Sequence, residues 1–142
     1  MLVSTRGRYA LRVMVDLAER QTDGYVPLKE IASRQEISEK YLESIIKLLV
    51  RANLLSGLRG KGGGYKLTLA PAQCTVGAVL RLTEDSLAPV TCLEGESTCP
   101  RMMSCRTLPM WQGLNTVIND YLDHITIADL ADCLQPATNY GI

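Results

Sequence analysis

Apolar residues in this chain recur at two periods, and the switches between them mark out its elements. Tyr9, Ala10, Val13, Met14, Leu17 and Ala18 return every three or four residues, which predicts a helix over about 8–21 with one apolar stripe. Arg8, Arg12, Asp16, Glu19 and Arg20 fall on its other, polar face. Thr22-Asp23-Gly24 supplies turn chemistry at its end. A second, shorter helix is expected from Val26-Pro27-Leu28, with Pro27 near its first position and Leu28, Ile31 and Ala32 inward. After a short connection, Gln35-Glu36-Ile37, Ser38 is placed to cap a third helix over about 39–51. Its inner stripe is Leu42, Ile45, Ile46 and Leu49; its outer face carries Glu39, Lys40, Glu43, Ser44, Lys47 and Arg51.

The period then drops to two. Tyr65, Leu67 and Leu69 alternate with Lys66 and Thr68, so 54–58 and 65–69 read as two short strands. Helical spacing returns over 75–83, through Val76, Val79, Leu80 and Leu82, and again over about 108–124. In the last of these, Trp111, Leu114, Ile118, Tyr121 and Ile125 are spaced three, four, three and four, a heptad seam suited to pairing two subunits. The competing reading is an amphipathic helix lying on its own domain. Thr126 and Asp129 are placed to cap a final short helix with Ile127, Leu130 and Ala131 inward, and the tail from Gln135 is expected to fray.

Helix, turn, helix and hairpin in that order predict a mainly α fold: a winged helix-turn-helix domain with a two-stranded wing, plus a long C-terminal dimerisation helix. The expected organisation is a DNA-binding domain over 1–83 and a cysteine-rich loop over 84–106. The dimerisation helix and a short capping helix follow over 107–134, and a tail over 135–142. The hairpin tip reads Arg59-Gly60-Lys61-Gly62-Gly63-Gly64. A phosphate-gripping nucleotide loop needs a helix just after its glycines, and here a strand follows. The tip is better suited to a groove or to phosphates of DNA, with glycines permitting close approach. Candidate DNA contacts are therefore Lys40, Tyr41, Glu43, Ser44 and Lys47 on the third helix, with Arg59 and Lys61 on the wing. Glu43 could accept from a cytosine amino group or pair locally with Lys47, and Arg59 could enter a minor groove.

Charge sharpens this division. The chain has no net charge, yet residues 1–66 hold 12 Lys/Arg against 7 Asp/Glu, and residues 67–142 hold 3 against 8. A basic first half suits a polyanion and an acidic second half does not. Phenylalanine is absent, so Leu, Ile, Val, Met and Tyr must build the core. Arg6, Arg8 and Arg12 interrupt the first apolar residues and no run is long enough to span a bilayer, so a cytoplasmic protein is expected. A single histidine and no nucleophile–base pair leave little equipment for an enzyme.

Candidate chemistry gathers between the fourth helix and the seam. Cys92, Cys99 and Cys105 fall within fourteen residues, separated by six and five others that are polar, small or turn-forming. Such a loop has little apolar surface to bury and usually gains order from what its sulfurs bind. Five cysteines without an export signal argue against a disulfide framework and for metal or redox chemistry. Cys74 and Cys133, outside the loop, are expected to be buried and inert.

The chain resembles the IscR/NsrR family of bacterial winged-helix regulators, which also includes the cysteine-metabolism repressor CymR. The resemblance rests on Ser4-Thr5-Arg6-Gly7-Arg8-Tyr9-Ala10, on Val26-Pro27-Leu28, and on Ile37-Ser38-Glu39-Lys40-Tyr41-Leu42-Glu43. Arg59-Gly60, Gly62-Gly63-Gly64-Tyr65, the cysteine loop and Leu108-Pro109-Met110-Trp111 extend it over nearly the whole chain. It implies a homodimeric transcription factor, a repressor by expectation, that binds a palindromic DNA operator. It also implies an iron–sulfur cluster, 2Fe–2S or 4Fe–4S, on Cys92, Cys99 and Cys105, sensing redox state, nitric oxide or cysteine and cluster status. The fourth ligand is not identified: Leu108 stands where IscR-like members place a histidine, and Arg8 where NsrR-like members place a carboxylate. Glu94, Glu96, His124, an exogenous ligand or water remain as candidates. A zinc or reversible-disulfide regulator on the same scaffold, and a partner-dependent regulator without a cofactor, are the alternatives.

Overall fold

Ser4 sets the start of the first helix, α1, which spans Thr5–Glu19. Its hydroxyl oxygen accepts from the Gly7 N–H at 3.0 Å, so the helix begins one turn before its apolar stripe. The computed structural model describes residues 2–20, 24–96 and 99–133. The turn expected at Thr22-Asp23 and the tail from Gln135 lie outside the described residues.

Two helices of the expected length follow, α2 at Leu28–Gln35 and α3 at Glu39–Arg51. Ser38 caps α3, its hydroxyl oxygen accepting from the Tyr41 N–H at 3.2 Å. Between the helices Glu36 takes the left-handed conformation (φ 54°), and the N–H of buried Ile37 donates to the Ala32 carbonyl at 3.0 Å. A side chain in that backbone region costs about 1 kcal/mol. Burial of Ile37 beyond it offsets the strain and holds the turn.

The wing is formed by β1, Leu55–Leu58, and β2, Gly64–Leu67, antiparallel with Leu55 opposite Leu67 and Leu58 opposite Gly64. Both strands are shorter than the alternation suggests: the Leu54 N–H turns back to the Leu49 carbonyl at 3.0 Å and Leu69 is exposed. Val26 does not open α2 but pairs with Tyr65, each N–H donating to the other's carbonyl at 2.9 and 2.8 Å. This bridge fastens the wing to the entry of α2. A Cβ at Gly64 would lie 2.2 Å from the Val26 carbonyl oxygen, and φ there is 149°, so the position requires glycine.

Thr75 caps α4, Val76–Thr83; then come α5, Leu108–Asp123, and α6, Ile127–Ala131, which carries a full Thr126/Asp129 capping box. The main core joins Ala10, Val13, Met14 and Leu17 of α1 to Ile31 of α2, to Leu42, Ile45, Ile46 and Leu49 of α3, and to Val79 of α4. Ile127 of α6 lies in that same core, fully buried, with its N–H donating to the Cys74 carbonyl at 2.8 Å. The last helix thus returns to the first domain rather than staying with α5. A second cluster, Val76, Leu80 and Leu87, receives Leu122 from the end of α5 and Ile125 from just beyond it. Arg81 completes that joint by donating to both Asp123 carboxylate oxygens, at 2.6 and 2.9 Å, and to Asn119 at 2.8 Å.

Two polar contacts differ from the sequence reading. Asp16, assigned by periodicity to the outer face of α1, is only 2% exposed. It accepts from Arg34 at 3.0 and 2.8 Å and from Gln35 at 2.8 Å, so it ties α1 to the last turn of α2. At the other end of α1, the Ser4 N–H and hydroxyl both donate to the Glu84 carboxylate, and Arg6 donates to the Thr83 carbonyl at 3.2 and 2.7 Å. A Cβ at Gly7 would lie 2.9 Å from a Glu84 oxygen, which explains the glycine. Cys74 is buried as expected, but Cys133 is exposed, because α6 ends at Ala131, two residues earlier.

Burial alone would raise the Asp16 carboxyl, but hydrogen bonds from Arg34 and Gln35 and the charges of Arg34 and Arg20 hold it below its ordinary value. A depressed folded value contributes stability above the unfolded value and loses it as pH falls through the folded one. Asp16→Asn is therefore expected to destabilise the fold by about 2 kcal/mol at pH 7. The gap from wild type should close below about pH 4, as read by urea denaturation.

Candidate nucleic-acid interface and cysteine loop

The inner stripe of α3 is at most 1% exposed at Leu42, Ile45, Ile46 and Leu49, so its opposite face is held rigidly outward. Lys40, Glu43, Ser44 and Lys47 are all exposed there. Glu43 and Lys47 form the local pair considered from the sequence, at 3.8 Å. Both ends are more than half exposed, so the pair contributes about 0.3–0.5 kcal/mol and opens readily to a ligand. The Ser44 hydroxyl donates to the Tyr41 carbonyl at 2.6 Å, which leaves its oxygen as an acceptor. Tyr41 is half-buried and meets Tyr9 edge-on, with ring centroids 5.9 Å apart. The Arg12 guanidinium lies 5.0 Å over the Tyr9 ring and also reaches Gln35 at 3.1 Å. Tyr41 is thus a bracket between α1 and α3 as well as a candidate contact.

The wing tip is closed by the Gly63 N–H donating to the Gly60 carbonyl at 2.9 Å. Arg59 and Lys61 stand exposed on it. The glycines serve the protein's own backbone here: Gly63 and Gly64 let the tip and Val26 come close, a role not visible in their composition.

Cys92 lies half-buried in a one-turn 3-10 helix, Thr91–Leu93. Cys99 is exposed, and Cys105 is half-buried just before α5. None of the five cysteines is joined in a disulfide. Cys105 Sγ lies 3.3 Å from Thr107 Oγ1. Hydrogen bonding from Thr107, through its side chain and then its backbone, aided by the Leu108 N–H and the charge of Arg101, draws the Cys105 thiol below its usual value. Burial pushes the Cys74 thiol up, which keeps it inert. Among the described residues no three His, Cys, Asp or Glu side chains converge as a ready-made metal site. The loop must close further before three sulfurs could share one ligand.

The fourth-ligand candidates are dispersed. Glu94 and Glu96 are exposed in the loop; His124 caps the far end of α5, its Nδ1 2.6 Å from the Asp120 carbonyl. Leu108 opens α5 and Arg8 donates to Thr5 at 3.0 Å. On α5 itself no residue is fully buried. Leu114 and Tyr121 are 39% and 64% exposed, joined by Met110 at 52% and Val117 at 63%, while Trp111 and Ile118 are half-buried. Ile125 turns into the chain's own second cluster. The helix therefore lies on its own domain by one face and leaves an apolar stripe, Met110, Leu114, Val117 and Tyr121, uncovered. Sequence spacing identified the helix and blurred these two faces, because both are apolar.

Comparison with known proteins decides the family. The model of the Rrf2 family, described as an iron-dependent transcriptional regulator, matches residues 3–133. The chain belongs to the Rrf2 family. IscR of Aliivibrio salmonicida, named an HTH-type transcriptional regulator, is 37% identical over 130 residues, covering 92% of this chain and 77% of that protein. Among solved structures, CymR, the global cysteine regulator of B. subtilis, superposes with a TM-score of 0.78 at 34% identity, covering 95% of this chain and 99% of that one. T. potens IscR gives 0.75 at 36%, covering 97% and 91%. This Rrf2 protein is accordingly a winged-helix, DNA-binding transcriptional regulator and not an enzyme. No helix among its described residues is long and apolar enough to cross a membrane.

Lys47→Ala is expected to weaken binding to all duplexes alike and to flatten the dependence of log K on log salt by about one unit. Arg59→Ala is expected instead to reduce discrimination between operator and random DNA. Fluorescence-anisotropy titrations at several salt concentrations separate the two effects.

Proposed function

We propose that this chain is a homodimeric, cytoplasmic repressor whose grip on a palindromic operator responds to an iron–sulfur cluster held by Cys92, Cys99 and Cys105. The observation that carries the reading is the position of the cysteine loop. It leaves α4 at Glu84, which receives both hydrogen bonds from Ser4 at the head of α1, and it returns at Leu108 to begin the helix with the uncovered apolar stripe. One loop therefore touches both the support of the DNA-reading helices and the candidate subunit contact.

The donor chemistry suits iron in part. Three thiols not locked in disulfides supply soft ligands, and the Cys105 environment favours the thiolate. Neither family position supplies a fourth side-chain ligand, since Leu108 is apolar and Arg8 is cationic. A cluster on three thiolates would supply an iron with an exchangeable position, suited to oxygen, nitric oxide or small thiols. Gathering Cys92, Cys99 and Cys105 would close the 92–105 loop and load the Glu84–Ser4 joint. Through α1 the change reaches Tyr41 by way of Tyr9, and the last turn of α2 by way of Asp16. A ligand shifts such an equilibrium only by its differential affinity for the two loop states. On the DNA side, Lys40, Tyr41, Glu43, Ser44 and Lys47 would face the major groove, with Arg59 and Lys61 at the minor groove or phosphates. Leu114 and Tyr121, flanked by Trp111 and Ile118, would meet their copies, and Ile125 would back the joint from inside.

A second reading, a thiol–disulfide or zinc switch on the same scaffold, is favoured by the accessibility of the loop sulfurs.

Anaerobically purified protein is expected to be coloured and to contain iron and acid-labile sulfide, both lost in Cys99→Ser, with operator affinity changing on cluster loss. Colourless protein carrying stoichiometric zinc, or identical operator binding with and without iron and sulfide, would defeat the cluster reading. For the subunit contact, Leu114→Asp with Tyr121→Asp is expected to halve the mass measured by sedimentation while circular dichroism stays unchanged.

A further inference from the structure

An open cleft of about 830 Å³ runs between α3 and the wing and is bounded at one end by the start of α2. Its floor is apolar: Ile46 and Val50 of α3, and Leu58 of the wing, which is 48% exposed. Its rim is charged. Lys29, Lys47, Arg51 and Arg59 line it, against Glu39 and Glu43. Glu43 is already paired with Lys47. Among the described residues Lys29 and Arg51 are committed to no ion pair, and both are exposed.

The cleft follows from how a winged helix must sit on DNA, and in this sense the inference rests on the function proposed above. With α3 in the major groove and the wing tip at the adjacent minor groove, the sugar–phosphate ridge that separates the two grooves has to pass between them. A ridge of that kind has two chemistries. Its deoxyribose faces are apolar, and its phosphates are anionic and accept hydrogen bonds. The cleft offers both in the matching places, apolar at the floor and cationic at the rim.

We propose that Lys29 and Arg51, which line this cleft, are phosphate-positioning residues of the DNA interface. Lys29 stands at the first turn of α2 and Arg51 at the last turn of α3, so they hold the ridge from the two ends of the helix-turn-helix. Contacts of this type set register and affinity without reading sequence. Glu39 opposes the same ridge. It limits binding to arbitrary DNA, where only backbone contacts contribute. The exposed Leu58 is explained as the surface on which a sugar packs.

The test uses the full chain and an operator recovered by selection from a random-sequence duplex library. Lys29→Gln and Arg51→Gln are each expected to weaken operator and random duplex by the same factor, about fivefold at 0.1 M salt, and to lower the salt slope by about 0.9. Glu39→Gln is expected to tighten both. Operators carrying one neutral methylphosphonate at each backbone position in turn should bind wild type more weakly at the ridge positions, and the double variant Lys29→Gln/Arg51→Gln no more weakly than its unmodified operator. The inference is overturned if Lys29→Gln and Arg51→Gln keep wild-type slope and affinity while Lys47→Ala and Arg59→Ala lose binding; the regulator reading then stands and the ridge runs elsewhere. It is equally overturned if the two variants lose operator binding alone, since that is base reading. Failure of the wild type to select any duplex would instead remove the DNA reading itself.

Discussion

Asp16 is a carboxylate taken almost wholly out of water in the side of α1, and it stays ionised because Arg34 and Gln35 complete its hydrogen bonds from α2. The rest of the reading head depends on this contact. A buried charge left without its partners is heavily penalised, so α1 and α2 have one acceptable register. That register sets where the Glu36 turn releases the chain, and so where α3 points. Tyr9 against Tyr41 then fixes the first turn of α3 from the same helix. Hydrophobic burial supplies most of the stabilisation, but it is non-directional, and the ionic clamp supplies the direction.

The same helix is held at its other end by a different chemistry. Ser4 and Arg6 grip the last residues of α4, and Gly7 is small because Glu84 lies against it. This end is the root of the cysteine loop. α1 is therefore a rod with the candidate sensor at one end and the DNA-reading helices along its side. A rigid rod suits the transmission of a small displacement, because packed interfaces switch between discrete arrangements rather than deform continuously. The family motif at the start of the chain thus acquires a mechanical meaning: its serine, arginine and glycine are the parts of one joint.

The wing is attached with similar economy. The Val26–Tyr65 bridge, made possible by the missing side chain at Gly64, fastens the hairpin to the entry of α2, while Leu55 at its base is buried in the main core. The tip remains free to present Arg59 and Lys61, while its base cannot drift from α2. The α5 helix shows the complementary strategy. It is tied to its own domain by Arg81, Leu122 and the Ile125 that follows it, and its other face keeps apolar side chains in water, the kind of patch that marks an interaction site.

Local chemistry was legible along the chain because it acts over a few residues. The stripe of α3, its Ser38 cap, the Thr126/Asp129 box, the order of helix, turn, helix and wing, and the cysteine spacing all follow from period and from side chains reaching their own backbone. What the sequence could not settle alone are contacts between distant segments. Asp16 reads as a surface acid until Arg34 is beside it, and Gly7 as an incidental residue until Glu84, which is 77 positions away, is packed on it. Ile127 looks like part of a C-terminal appendage until it fills the core under α1. Periodicity reports which face is apolar and not what will cover it, nor whether a polar residue on that face will meet a partner. Those are decided only when the elements come together, because burial and the pairing of charges are properties of the assembled packing and not of any one segment.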